Sequence, residues 1–129
     1  STRKESSAAS DVYKRQPVYI PPYEYYNKEI SAWAKNMGIQ VINYTPGTMS
    51  NADYTTPDMG QKYRSSKFIY DKIMEVEKKE GLNGHLMLIH FGTDDRRTDK
   101  FYNGYLDKMI KTLKRKGYTF VPVREAVGI

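Results

Sequence analysis

The sequence predicts an α/β fold in which short strands alternate with helices. Apolar residues recur at the i, i+3, i+4, i+7 spacing of an amphipathic helix in three segments, at residues 27–37, 66–80 and 99–116. Short runs of strand-forming residues lie between and around them, at residues 18–20, 39–44, 86–89 and 118–123. Because the two kinds of segment alternate, we expect parallel strands covered by helices.

The first sixteen residues are set apart from this pattern. Residues 6–16 reverse-translate without interruption to a transposase-based sequencing-library adapter. We therefore interpret residues 1–16 as an artefactual segment, or as a disordered Ser/Ala-rich leader, and exclude them from the fold. Residues 17–129 form the predicted domain. If an adapter precedes it, we expect the natural coding sequence to continue upstream.

The first helix and its neighbouring strands are predicted from local signals. Strand-forming residues at 18–20 precede the helix of residues 27–37, which Gly38 ends. A second strand at 39–44 is followed by a long loop rich in Pro, Gly, Ser, Asn and Asp, of a length typical of functional loops. The helix is expected to bury one face, made of Ile30, Trp33, Ala34 and Met37.

The second and third helices have stronger apolar stripes. The helix at 66–80 places Ile69, Ile73 and Val76 on one face and ends at Gly81. Residues 86–89 are apolar without alternation, which predicts a strand covered on both faces. Asp99 is expected to cap the third helix at its N-terminus. The stripe of that helix comprises Tyr102, Tyr105, Leu106, Met109, Ile110 and Leu113.

Composition excludes several classes of function. The net charge is +6 at pH 7, and the Lys and Arg residues are scattered over predicted helices, so we expect no nucleic-acid partner. There is no cysteine, hence no disulfide and no thiolate metal site. We also expect no membrane segment in these residues. The charged run at residues 94–97 is interpreted as a solvated turn rather than a metal or phosphate site.

Chemically useful residues follow three of the predicted strands. Pro22 and Tyr23 come after the first strand, Asp53 and Tyr54 lie in the loop after the second, and His90 follows the third. In parallel α/β folds the carboxyl ends of the strands share one rim, where active sites form. We therefore expect these side chains to lie on that rim.

Three motifs in this order resemble the polysaccharide deacetylases, the NodB-homology carbohydrate esterases. That family has an Arg-x-Pro-Tyr motif, a later Asp-Trp pair and a Leu-x-His motif; here they correspond to Ile20-Pro21-Pro22-Tyr23, Asp53-Tyr54 and Leu88-Ile89-His90. The run from Leu106 to Val123 also resembles the end of the family domain. The resemblance implies the C-terminal half of a (β/α) barrel-like deacetylase domain, with an acetylated polysaccharide or oligosaccharide as its partner.

The resemblance also implies a role for each site residue. His90 would be the general acid that protonates the leaving group, and Asp53 would orient it. Leu88 would form one wall of the pocket for the acetyl methyl group, and Tyr23 would contribute an oxyanion contact. Pro22 and Tyr54 would complete the substrate groove.

Other expectations follow from how the chain departs from the family. The family uses a divalent metal, commonly zinc, whose ligands lie in the upstream half, so we expect no metal ligands in this chain and no activity from it alone. The family acts outside the cell, in the periplasm or at the cell surface. Ile20 replaces the arginine that supports the catalytic base, which leaves open a catalytically silent carbohydrate-binding relative. An unrelated α/β fragment, for instance of a glycoside hydrolase barrel, is a third possibility.

Overall fold

The computed structural model describes residues 18–21, 23 and 25–128. They form two compact units, the first comprising the described residues up to Asn43 and from Val121 onward, the second Tyr44–Phe120. Helices and a small parallel sheet are both present, which confirms the mixed α/β class. No described helix is long and apolar enough to cross a membrane.

The first unit contains a strand, a helix and a parallel strand. Strands β1 (Val18–Tyr19) and β2 (Gln40–Val41) pair in parallel, and helix α1 (Lys28–Asn36) connects them. The α1 helix begins where the side chain of Asn27 accepts a hydrogen bond from the Ile30 N–H at 2.8 Å, a standard N-cap. This β–α–β order agrees with the sequence prediction.

The predicted buried face of α1 is largely wrong. Only Ala34 is buried, whereas Trp33 and Met37 are 57% and 68% exposed. Two strands of two residues each offer too little surface to cover the apolar face of a helix. The face instead lines an open apolar groove, formed by Tyr19, Ile30, Trp33, Ala34, Met37 and Ile39.

The second unit is built around three helices. These are α2 (Ser66–Glu80), α3 (Phe101–Gly104) and α4 (Leu106–Arg115). Their predicted stripes supply most of a single apolar core, which consists of Ile69, Ile73, Leu82, Phe101, Met109 and Leu113. The predicted third helix is divided at Tyr105, because Gly104 is a poor helix former at the point where the chain bends.

Two predicted strands, at residues 86–89 and 118–123, are not strands in the described structure. Thr45 and Leu86 make two contacts: the Thr45 N–H donates to the Leu86 carbonyl at 2.8 Å, and Thr45 Oγ1 accepts from the Leu86 N–H at 3.0 Å. Pro46 follows and has no N–H with which to continue a ladder. The residues beyond Phe120 belong to the first unit and include a short helix, α5 (Val123–Ala126).

Asp99 bonds to the start of a different helix from the one it was predicted to cap, and the N-cap residue of that helix is Ser65. Helix α3 begins at Phe101 with no side-chain cap. The Asp99 carboxylate instead accepts a hydrogen bond at 2.7 Å from the N–H of Ser66, the first residue of α2. The sequence places Asp99 thirty-three residues after that N–H, so no local signal could reveal the contact.

Replacing Asp99 with alanine should lower the free energy of unfolding by about 0.5–2 kcal/mol, the range measured when a side-chain acceptor is removed from the first turn of a helix. The reason is that the first turn of α2 loses an acceptor for a backbone N–H. Urea denaturation measures the effect. Asp71→Ala is the control, since Asp71 is exposed and its ion pair with Lys67 on the same helix contributes little to stability. Equal losses in the two variants would show that the bond from the Ser66 N–H to Asp99 does not stabilise the fold.

Candidate active site

Asp53 lies in a short 3₁₀ helix, Ser50–Tyr54, which we call the Asp53 turn. Met49 precedes it in the left-handed conformation, with φ of 61°, an uncommon conformation for a residue with a side chain. Thr55 closes it, because its N–H and its hydroxyl both donate to the Ala52 carbonyl, at 3.1 and 2.6 Å. The carboxylate of Asp53 is almost wholly buried by this arrangement.

Asp53 contacts His90 through both of its carboxylate oxygens. Oδ1 lies 2.6 Å from His90 Nδ1, and Oδ2 accepts a hydrogen bond from the His90 N–H at 2.7 Å. The Asp53 side chain is 1% exposed, whereas that of His90 is 32% exposed. The two contacts hold the ring and the backbone of His90 against the same carboxylate. The pairing expected for these residues is present, while their catalytic roles stay a prediction.

The contact determines which histidine nitrogen can exchange a proton with a substrate. A carboxylate only accepts hydrogen bonds, so the Nδ1 facing Asp53 carries the hydrogen. Any proton that passes between the ring and a reacting molecule therefore belongs to Nε2. A carboxylate that bonds to one ring nitrogen of a histidine commonly determines which nitrogen carries the hydrogen, and thereby which nitrogen exchanges a proton.

Tyr54 packs beside the same imidazole. Its ring centroid lies 5.7 Å from that of His90 with an interplanar angle of 70°, an edge-to-face contact. Half of the Tyr54 side chain remains exposed. It thus restrains the His90 ring and presents an aromatic surface beside it, which is compatible with the predicted place of Tyr54 in a substrate groove.

The other predicted site residues do not all belong to the second unit. Leu88 is half-buried, two residues before His90 in the second unit. Tyr23 belongs to the first unit, where its side chain is 96% exposed and its φ is 53°. Pro22 lies outside the described residues. The structure therefore brings together Asp53, Tyr54 and His90, and the roles of Pro22, Tyr23 and Leu88 stay predictions.

The charged run after His90 is only partly the solvated turn predicted. Asp94 and Arg96 are exposed and joined by three hydrogen bonds, at 2.8, 2.9 and 3.0 Å. Arg97, in contrast, has no exposed surface. Two adjacent arginines with opposite environments cannot be told apart by composition, so the sequence contains no signal for the burial of Arg97.

Arg96 should control the titration of Asp94. Hydrogen bonds from the side chain and the N–H of Arg96 hold the pKa of Asp94 far below its usual range. Because the folded-state pKa is lowered, the pair stabilises the fold above the unfolded-state pKa and loses that contribution as the pH falls. Arg96→Ala should raise the pKa of Asp94 toward its usual value in a carboxyl ¹³C NMR titration. An unchanged pKa would show that Arg96 does not set it.

The described residues do not supply a metal site by themselves. Among them, no three His, Asp or Glu side chains are grouped so as to hold an ion. Asp53 bonds to His90 through Nδ1 and the backbone N–H, and Nε2 takes no part in these contacts. The described residues do not assemble three ligands for the metal that the family resemblance implies, and no chemical step below is assigned to it.

Comparison with known proteins gave no match. No family model, curated protein or solved structure matches this chain. A functional interpretation therefore depends on the motifs and on the geometry around His90.

Proposed function

We propose that the chain is part of a hydrolase that removes acetyl groups from an acetylated polysaccharide. The observation that carries the proposal is the paired contact of the buried Asp53 carboxylate with the partly exposed His90 imidazole. Such a pair is suited to general acid–base chemistry. The hydrogen bond to Asp53 fixes Nδ1, so proton transfer to or from a substrate would take place at Nε2.

His90 acts on the leaving group in the proposed reaction. Water adds to the acetyl carbonyl carbon, the bond from that carbon to the sugar nitrogen or oxygen breaks, and acetate is released. An amine leaves poorly unless it is protonated, so His90 Nε2 gives its proton to the departing nitrogen. Nδ1 keeps its hydrogen throughout and donates it in the hydrogen bond to Asp53, and the proton returned to Nε2 comes from the water that attacked.

The order of the motifs supports the same class of enzyme. Asp53-Tyr54 precedes Leu88-Ile89-His90, as the corresponding motifs do in polysaccharide deacetylases, and the folded chain brings the two motifs into contact. The barrel-like architecture of that family is part of the proposal, and so is a divalent metal bound by residues beyond those described. The parallel β–α–β arrangement of the first unit is compatible with such a barrel.

A catalytically silent carbohydrate-binding relative is the second candidate. Ile20 stands where the family motif has arginine, and its side chain is about half exposed. An isoleucine cannot hold a catalytic carboxylate as an arginine does. This relative would keep the aromatic and apolar groove but would release no acetate.

Acetate release is the experiment that tests the proposal. The longer gene product predicted from the resemblance would be incubated with chitin oligomers, peptidoglycan and acetylated xylan, and acetate and new reducing ends would be measured. Acetate without reducing ends is the expected result on at least one polymer. Reducing ends without acetate would indicate a glycoside hydrolase. Binding without either product would support the silent relative.

A further inference from the structure

Arg97 is a charged side chain that is completely buried. Its guanidinium donates from Nη1 to the carbonyl oxygens of Thr55 and Arg64, both at 2.8 Å, and from Nη2 to Ser66 Oγ at 3.1 Å. Its exposed fraction is 0%. Asp99 Oδ2, a carboxylate oxygen, lies 4.0 Å from Nη2, beyond hydrogen-bond distance. Neutral oxygen atoms therefore provide most of the compensation for burying this charge.

A buried arginine could be a site for an anionic ligand, but the geometry here opposes that use. Both terminal nitrogens of Arg97 are already bonded to protein oxygens, and the Tyr63 ring lies 5.5 Å from the guanidinium carbon. A ligand would have to displace these bonds in a site with no exposed surface. The side chain is arranged to hold protein segments together.

The segments that Arg97 joins are those that carry the catalytic pair. Thr55 directly follows the Asp53 turn and closes it. Arg97 lies seven residues after His90 in the same chain segment. The bond from Arg97 to the Thr55 carbonyl thus connects the same two segments as the Asp53–His90 contacts.

We propose that Arg97 is a positioning residue, which keeps Asp53 within hydrogen-bond distance of His90. The Asp53–His90 distance of 2.6 Å leaves little tolerance, since functional side chains must be held within about 0.5 Å of their working geometry. The planar guanidinium can reach carbonyl oxygens and a hydroxyl in a fixed arrangement, which a lysine ammonium reproduces poorly. The catalytic consequence rests on the proposed function, whereas the positioning does not.

The test uses Arg97→Met, which removes the donors but keeps an unbranched side chain, with Arg96→Met as the control. Arg96 is adjacent and exposed, so its change leaves the buried contacts intact. Nitrogen-15 NMR of the His90 imidazole in the chain reports whether the Nδ1 hydrogen stays bonded to Asp53. We expect Arg97→Met to lose that bonded signal and Arg96→Met to keep it. A retained signal in Arg97→Met would overturn the proposal.

Two additional measurements keep the proposal falsifiable. Arg97→Lys retains the charge and replaces Arg97→Met if that variant does not fold. We expect it to fold and to show a weakened Nδ1 signal. An unchanged signal would overturn the positioning role. In the longer gene product, kcat should fall about 10- to 100-fold in Arg97→Met with KM nearly constant, as expected for a misplaced catalytic group. If Arg97→Met loses the NMR signal and the longer gene product without substitutions releases no acetate, the positioning role is supported and the deacetylase function is contradicted.

Discussion

Replacing His90 with alanine will lower the turnover of an N-acetylated substrate by about 10²- to 10⁴-fold, the usual contribution of a general acid or base. Alanine has no group that can protonate the departing nitrogen, and the exposed position of the ring beside Tyr54 is where a substrate would reach it. The measurement is the steady-state rate of acetate release by the longer gene product.

His85→Ala is the matched control for that experiment. His85 lies five residues earlier in the same segment, and its N–H donates to the Leu82 carbonyl in a turn. Its replacement should leave the rate within about twofold, because this partly buried side chain is not in contact with Asp53 or Tyr54 and changes away from a site usually have small effects. A loss of turnover in the His85 variant that equals the loss in the His90 variant would point to a general structural defect.

Replacing Asp53 with asparagine should lower turnover by about 10²- to 10⁴-fold, because the amide presents the wrong hydrogen-bonding group to the ring. If the asparagine oxygen accepted the hydrogen bond from the His90 N–H, the NH₂ group of the same amide would face Nδ1. The neutral ring would then carry its hydrogen on Nε2, and the protonated ring needed for donation would set its Nδ1–H against the amide. Rate measurements and imidazole ¹⁵N NMR report the two effects separately.

Asp95→Asn is the control for the Asp53 change. Asp95 is an exposed carboxylate in the turn after His90, so this variant makes the same chemical change outside the buried contact. It should keep both the rate and the Nδ1-protonated form of His90. If Asp53→Asn behaved in the same way, Asp53 would be a turn residue without influence on the histidine.

The helices of the second unit could be predicted because their signals are local. Ile69, Ile73, Met109 and Leu113 recur at helical spacing and all of them are buried in the core. Trp33 on helix α1 has the same spacing but is exposed, because burial depends on a partner surface that the two-stranded sheet does not supply. Periodicity thus identifies a helix face without showing what covers it.

Strands and buried charges depend on distant partners, which makes them harder to predict. Residues 86–89 have strand composition, but their contact with Thr45 stops where Pro46 removes a donor. Asp53 and His90 were found through their motifs. Arg97 was not, because its burial depends on oxygen atoms contributed by Thr55, Arg64 and Ser66, all more than thirty residues away.

The central claim, that His90 donates a proton to the leaving group, is tested most directly by comparing two substrates in the His90→Ala variant. An acetylated amine needs protonation in order to leave, whereas the 4-nitrophenolate of 4-nitrophenyl acetate leaves without it. The predicted result is a loss of about 10²- to 10⁴-fold on the amide and a loss of less than about tenfold on the aryl ester. Equal losses on the two substrates would contradict the claim.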